Sequence, residues 1–423
     1  MASNKKTQIN GHALKPESLM MGYGYNPQLS EGSIKCPNFQ TSTFVFQSAE
    51  QGKDFFNIVS GRKPLPEGQQ AGLVYSRFNN PTLEIAENRI AVWDEAEDCV
   101  VTGSGMSAIS TMLMTFAEPG DVIVYSEPIY GGTDTLVNVI LKKMAIQAVG
   151  FLSSDGQKGL KQALDTASSL GRVAVVMLET PDNPTNHLID IAATRDQIDV
   201  LTTKQDKAPI LAVDNTMLGP LWQTPLTHGA DLCLYSLTKY VGGHSDLLGG
   251  SCSGSKALIS QVRKVRNSIG TTMDTHTAWL ILRSLETLKI RMQAATLGAE
   301  KVIAFLAQHP KVTRIDYPGL LKPDEADYAI YQKQCQGAGS TFSFEVSGGE
   351  SAAFSVLNSL QLIKLAVSLG GTESLAQHPA AMTHSGVPKA RREQIGVTEG
   401  LIRLSIGIEE PDDLIADLQQ ALA

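Results

Sequence analysis

The sequence predicts an α/β protein, with a mainly parallel sheet carrying helices on both faces, followed by a smaller C-terminal α+β region. Five short apolar runs, "DCVVTG", "DVIVYSE", "VAVVMLET", "PILAVDN" and "LCLYS", each end in polar or glycine residues. Between them lie helical stretches such as "MSAISTMLMTFA" and "GTDTLVNVILKKMA". Strands alternating with helices build a sheet covered on both sides. After about Thr275 the pattern changes: "TAWLILRSLETLKIRMQAATLGAEKVIAFLAQ" has the 3.6-residue period of one or two long helices. Two later β-like runs, "STFSFEVS" and "LIRLSIGI", and a terminal helix complete the smaller region.

In chain order, residues 1–72 are poor in periodic pattern and rich in Gly, Pro, Asn and Gln. The stretch "SGRKPLPEGQQAG", Ser60 to Gly72, reads as a loop. An arm of this kind is expected to lie on a neighbouring subunit. A large cofactor-binding domain is expected over 73–275 and a C-terminal domain over 276–423. A chain of 423 residues has room for these cores. No apolar run approaches the roughly 18 residues of a membrane span, and the N-terminus lacks an apolar signal region. Five cysteines without ligand spacing read as free thiols in a reducing compartment, so the expected location is cytoplasmic. The formal net charge of −8 repels nucleic acid and anionic membrane alike. Any anion must therefore be captured by a local pocket.

In such sheets ligands bind beyond the carboxyl ends of the strands. The glycines, Glu179, Asp214 and Lys239 all fall there. "VVTGSGMSA", Val100 to Ala108, leaves a strand, crosses glycines and opens a helix. A helix N-terminus offers unpaired N–H groups, and glycine lets a phosphate approach them. The same stretch meets the looser dinucleotide fingerprint through Gly103, Gly105 and Ala108, with Glu127 ending the next strand. From this turn alone, a phosphate group, a dinucleotide and a ligand-free turn stand level, and an NAD-dependent oxidoreductase is a real alternative.

"LCLYSLTKYVGGHSD" shifts the balance. A buried lysine is costly unless its ammonium is neutralised or consumed. Forming a Schiff base with an aldehyde cofactor consumes Lys239. Ser236 and Thr238 would then be phosphate-facing hydroxyls. Pyridoxal phosphate also needs a carboxylate on its ring nitrogen, and "ILAVDNT" places Asp214 at the end of the preceding strand. The dinucleotide reading has no use for either residue. His244, His378 and His384 are read as structural, and no metal is expected, because "HPAAMTH" has the wrong spacing for a helical histidine pair.

These residues carry a resemblance. From about Gly22 to the C-terminus the chain resembles the Cys/Met-metabolism enzymes that use pyridoxal phosphate, the group of cystathionine γ-synthase, cystathionine lyases and methionine γ-lyase. The motifs are "YSRFNNPT", "GSGMSAI", "EPIYGGT", "ETPDNPT", "VDNT", "SLTKYVGGHSD", "SLGGTESLAQHPAAMTH" and "IRLSIGIE". The resemblance implies an aspartate-aminotransferase-like fold (pyridoxal phosphate fold type I) and a trans-sulfuration lyase or transferase. It implies a homo-oligomer, a dimer at least and a tetramer in full assembly. It makes Lys239 the cofactor lysine and proton shuttle. Asp214 would meet the ring nitrogen, Asn183 the ring hydroxyl, and Tyr130 would stack on the ring and assist proton transfer. The Gly105 and Met106 amides would cradle the phosphate with Ser236 and Thr238, while Tyr75 and Arg77 reach it from a neighbouring subunit. Arg403 and Ser368 would clamp the substrate carboxylate.

The expected chemistry is γ-elimination or γ-replacement on sulfur-containing or O-acyl homoserine-type amino acids, with a cystathionine β- or γ-lyase as the alternative. Three positions depart from subgroup patterns. Gly132 stands where methionine γ-lyases usually carry Cys, and Asn267 stands where they carry Lys. Val367 stands where cystathionine-handling members usually place Glu. The expectation is a permissive enzyme for which cystathionine is a poorer substrate, with the insertion around Arg62 to Gln70 shaping the pocket entrance.

Overall fold

The computed structural model describes residues 5–65 and 72–423. Its main sheet has seven strands: β1 (Asp98–Thr102), β2 (Val122–Glu127), β3 (Gln147–Leu152), β4 (Val173–Glu179), β5 (Ile210–Asp214), β6 (Leu232–Ser236) and β7 (Gly250–Gly254). Their order is β1-β7-β6-β5-β4-β2-β3. The pairings from β6 through to β3 are parallel, and β7 runs antiparallel to both β6 and β1.

Successive side chains of a strand point to opposite faces, and the core divides accordingly. Ile123, Tyr125, Met177 and Ala212 pack with Ile109, Met112 and Leu113 of the helix Gly105–Phe116. Val124, Val176, Leu178, Leu211 and Val213 face the other way, onto Leu160 and Leu164 of Gly156–Leu170 and Ile198 of Ile191–Thr202. Both faces are thus dry, which is why these strands read as continuous apolar runs.

The expected long helical stretch is two helices, Thr275–Leu285 and Leu288–Leu306. Ala278, Ile281 and Leu282 pack with Leu83 and Ile90 of the helix Pro81–Trp93. A second sheet follows: β8 (Val312–Asp316), β9 (Thr341–Val346), β10 (Lys364–Leu365), β11 (Leu375–Gln377) and β12 (Leu401–Ser405), in the order β8-β9-β12-β11-β10. It packs Phe342, Phe344 and Leu404 against Val302, Leu306, Leu414 and Leu418, the last two from the terminal helix Pro411–Ala421.

The arm is less irregular than its composition suggests. Ala49–Val59 is a helix capped by Ser48, whose Oγ accepts from Gln51 N at 3.2 Å, while Gln51 Oε1 accepts from the amide of Gln47, one residue before the cap, at 2.6 Å. Part of the insertion expected at the pocket entrance, residues 66–71, lies outside the described residues. Among the described residues no helix is long and apolar enough to cross a membrane.

Candidate active site

Lys239 lies in a tight turn after β6, its amide donating to the Ser236 carbonyl at 3.1 Å. Its Nζ donates to Ser368 Oγ at 2.8 Å. Burial, with the nearby Arg403 charge, lowers its pKa to about 8. Near neutral pH the amine is therefore far closer to its nucleophilic form than an exposed lysine is. One strand away, Asp214 ends β5, and its Oδ1 accepts from Thr216 N at 3.1 Å and Thr216 Oγ1 at 2.6 Å. Thr216 Oγ1 in turn accepts from Ser236 N at 2.9 Å. A single hydroxyl thus ties the carboxylate to the end of β6, a role the sequence reading did not give Thr216. Burial pushes the Asp214 carboxyl up, against the hydrogen bonds from Thr216. A cationic ring nitrogen would supply the charge it lacks.

The Ser104 side chain caps the helix Gly105–Phe116 by accepting from Ser107 N at 3.0 Å. The first amides of a helix have no intrahelical acceptor, so those of Gly105 and Met106 face outward, able to hold an anion. The fit is close. A Cβ on Gly105 would lie 2.9 Å from Ser236 Cβ, and one on Gly250 would lie 2.1 Å from the Ser104 carbonyl oxygen. Thr238 Oγ1 accepts from Gly249 N at 3.1 Å, fixing the turn beside it. Only glycine and small residues allow this cradle, and its donors match a phosphate.

Arg403, on β12, enters this space from the second sheet. It donates to Asn183 Oδ1 at 2.9 Å, to the Ser368 carbonyl at 2.8 Å and to the Val367 carbonyl at 3.3 Å. With its amide oxygen turned to the guanidinium, Gln377 accepts from Nη1 at 3.0 Å. All these acceptors are neutral. Burial lowers the Arg403 pKa to about 10, while Tyr240 and Glu179 oppose the shift. A buried guanidinium bonded to neutral acceptors suits an anionic ligand.

Tyr130 begins the short helix Gly131–Thr135 with its side chain 47% exposed, and its N–H donates to Glu179 Oε2 at 2.9 Å. Gly132 has a local reason: a Cβ there would lie 2.7 Å from Tyr130 Cε1 and 3.0 Å from Met106 Sδ. Tyr75 and Arg77 lie apart from this group. Tyr75 is 40% exposed, and the Arg77 guanidinium sits 4.5 Å from the Phe78 ring centroid and donates to the Asn267 carbonyl. Val367 is 57% exposed. His378 is internally satisfied, Nδ1 accepting from Ala381 N at 3.1 Å and Nε2 facing the Glu399 carbonyl at 2.9 Å.

The dinucleotide alternative fails on topology. Within the seven-stranded sheet β1 is an edge strand whose neighbour is the antiparallel β7, so β2 is not next to it. Glu127, the strand-end acid of that fingerprint, is already occupied, accepting from Tyr125 Oη at 3.1 Å and pairing with Arg391.

Fold and site together define an α/β protein whose buried strand-end lysine, strand-end carboxylate and glycine-lined helix N-terminus fit an aldehyde cofactor that bears a phosphate. Residues 17–423 match the model of the Cys/Met metabolism PLP-dependent enzymes, and the chain belongs to that family. It is 39% identical over 393 residues to an L-methionine gamma-lyase of Fusobacterium nucleatum subsp. polymorphum, covering 92% of this chain and 94% of that protein. It is 33% identical over 410 residues to a cystathionine gamma-lyase of Bacillus subtilis (strain 168), covering 97% and 99%. A crystal structure of cystathionine gamma synthase from Xanthomonas oryzae pv. oryzae in complex with cystathionine matches with a TM-score of 0.85 at 31% identity, over 96% of this chain and 97% of that one. The aspartate-aminotransferase-like expectation accords with these neighbours.

Proposed function

We propose that the enzyme carries out γ-elimination or γ-replacement on sulfur-containing or O-acyl homoserine-type amino acids, a trans-sulfuration chemistry. The observation that carries this is the buried Arg403, held by neutral acceptors beside Ser368, which itself accepts from the Lys239 amine. An α-carboxylate on Arg403 places an amino acid's Cα near Lys239 Nζ. Bound pyridoxal phosphate supplies the electron sink that acidifies the α-proton and lets charge reach Cβ, so that a Cγ substituent can leave.

The chain's own residues do the rest. Arg403 binds the carboxylate through two N–H groups, a task suited to its planar fork. Lys239 takes the proton from Cα and moves protons at Cβ, its lowered pKa keeping it close to the working range. Asp214 would meet the ring nitrogen. Asn183 Oδ1 is engaged by Arg403, which leaves its Nδ2 to donate to the ring hydroxyl. The Gly105 and Met106 amides, Ser236 and Thr238 would hold the phosphate, and Tyr130 would cover the ring. Tyr75 and Arg77 would complete the phosphate site of a second copy, making the active unit a dimer at least and a dimer of dimers in full assembly. The arm through residue 72 would serve that contact. The free cysteines suit a reducing, cytoplasmic setting.

The test is the product profile on methionine, cystathionine and O-acyl homoserines, with and without an added thiol. Keto acid release, or thioether formation when thiol is present, is expected, with cystathionine the slowest. Turnover of none of the three would overturn the proposal.

A further inference from the structure

Glu179 ends β4 in register with Asp214 on β5, so the two carboxylates leave neighbouring strands on the same face. Its amide donates to Ser126 Oγ at 2.9 Å, which fixes it to the end of β2. Its Oε2 accepts from Tyr130 N at 2.9 Å, and the Asn183 backbone amide faces the same carboxyl group. One buried side chain therefore touches both segments that carry the proposed ring contacts. The Tyr130 amide precedes a helix of only five residues and needs an acceptor outside it.

We propose that Glu179 is a positioning residue, clipping the Tyr130 turn and the Asn183 loop to the end of β4 so that both side chains meet the cofactor ring in one fixed geometry. This rests on the reading that Tyr130 and Asn183 contact the ring. The groups facing Glu179 are Asp214, Asp182, the two backbone amides and the more distant Arg403. Burial, then the Asp214 charge, favours the protonated form. A neutral carboxyl still offers its carbonyl oxygen to the Tyr130 amide, and so does a glutamine of the same length. Glu179→Gln should therefore preserve what Glu179→Ala loses.

Hydrogen exchange on the full-length protein, with and without cofactor, reads the clip directly. In Glu179→Ala the amides of the 129–134 segment should exchange roughly 10-fold faster, the loss of one hydrogen bond to a buried acceptor. Pyridoxal phosphate affinity should fall by a similar factor, and Glu179→Gln should restore both. Tyr130→Ala and Asn183→Ala serve as references. If they leave cofactor affinity and turnover unchanged, the ring-contact reading is wrong whatever Glu179 does. If they lower both while Glu179→Ala changes neither exchange nor affinity, the positioning role is overturned. Should the alanine variant fold poorly, Glu179→Gln decides: losses above 10-fold would show that the charge, not the acceptor, is needed.

Discussion

Arg403 and Arg77 are both assigned to anions, yet the chain treats them differently. Arg403 is 2% exposed and bonded to Asn183, Val367 and Ser368, whereas Arg77 lies at the surface against Phe78 and the Asn267 carbonyl. On the proposed reading the carboxylate clamp would be built within one chain, and the outer cap of the phosphate would be offered from the surface to another copy. A buried charge bonded by neutral groups is poised for a ligand, while an exposed one on an aromatic face gains little from its own chain.

That contrast can be broken at several points. On the inner side, Lys239→Ala should lower turnover by roughly 10²–10⁴-fold or more, the range of a lost general base. Borohydride should fix the cofactor to Lys239 of the native protein, as peptide mapping would show; a colourless protein that binds NAD instead would overturn the assignment. Arg403→Lys keeps the charge but loses the fork and leaves Asn183 Oδ1 short of a donor. Steady-state kinetics should show KM raised by roughly 10²-fold with a smaller change in kcat.

The pH dependence sharpens the same side. Lys239 must be neutral to react with an aldehyde, so the rate of cofactor uptake by apoprotein should rise with pH up to about 8 and then level off. Removing the neighbouring charge with Arg403→Gln should move that inflection upward. An inflection that stays fixed would mean that burial alone sets it. On the outer side, Arg77→Ala should weaken cofactor binding by roughly 10-fold. At a cofactor concentration too low to fill Arg77→Ala, mixing it with inactive Lys239→Ala should return part of the activity through hybrid sites. Demonstrated subunit exchange without recovery would place Arg77 in its own chain's site.

The smallest effect is expected at the rim. Val367→Glu should shift the kcat/KM ratio toward cystathionine by a few-fold to roughly 10-fold, since a carboxylate can meet the distal ammonium. A wild-type preference for cystathionine, unchanged by the variant, would show that another residue reads the tail.

The strands that were legible in the sequence are those buried on both faces. β3 was missed because it is partly open to solvent, with Gln147 and Gly150 exposed, whereas the opposite edge strand, β1, is largely buried and was legible. β7 was missed because "GSCSG" carries no apolar pattern, although every residue is buried. Its smallness has a contact reason, since Gly250 lies against the Ser104 carbonyl. In the arm, Ser48 formed a readable helix cap that the surrounding composition obscured. Lys239, Asp214 and the glycine turn stood out in the sequence because their types and order suit one cofactor. Glu179 was noticed only as a polar strand end. Its link to Tyr130 is a contact across 49 residues, which no local pattern carries. Gln377 and Thr216 were silent for the same reason.

The pressing of Gly250 onto Ser104 also sets a timetable. β1 pairs within the sheet only with β7, which leaves the ribosome after every other strand of that sheet. The glycine turn at 103–105 therefore emerges early and waits, its backing surface not yet translated, until Gly254 has been made. Non-local pairing of this kind is slow and comes late. The phosphate turn thus gains its floor only once β7 is in place, and an interrupted chain ending before β7 would carry the lysine and aspartate but no floor for the phosphate.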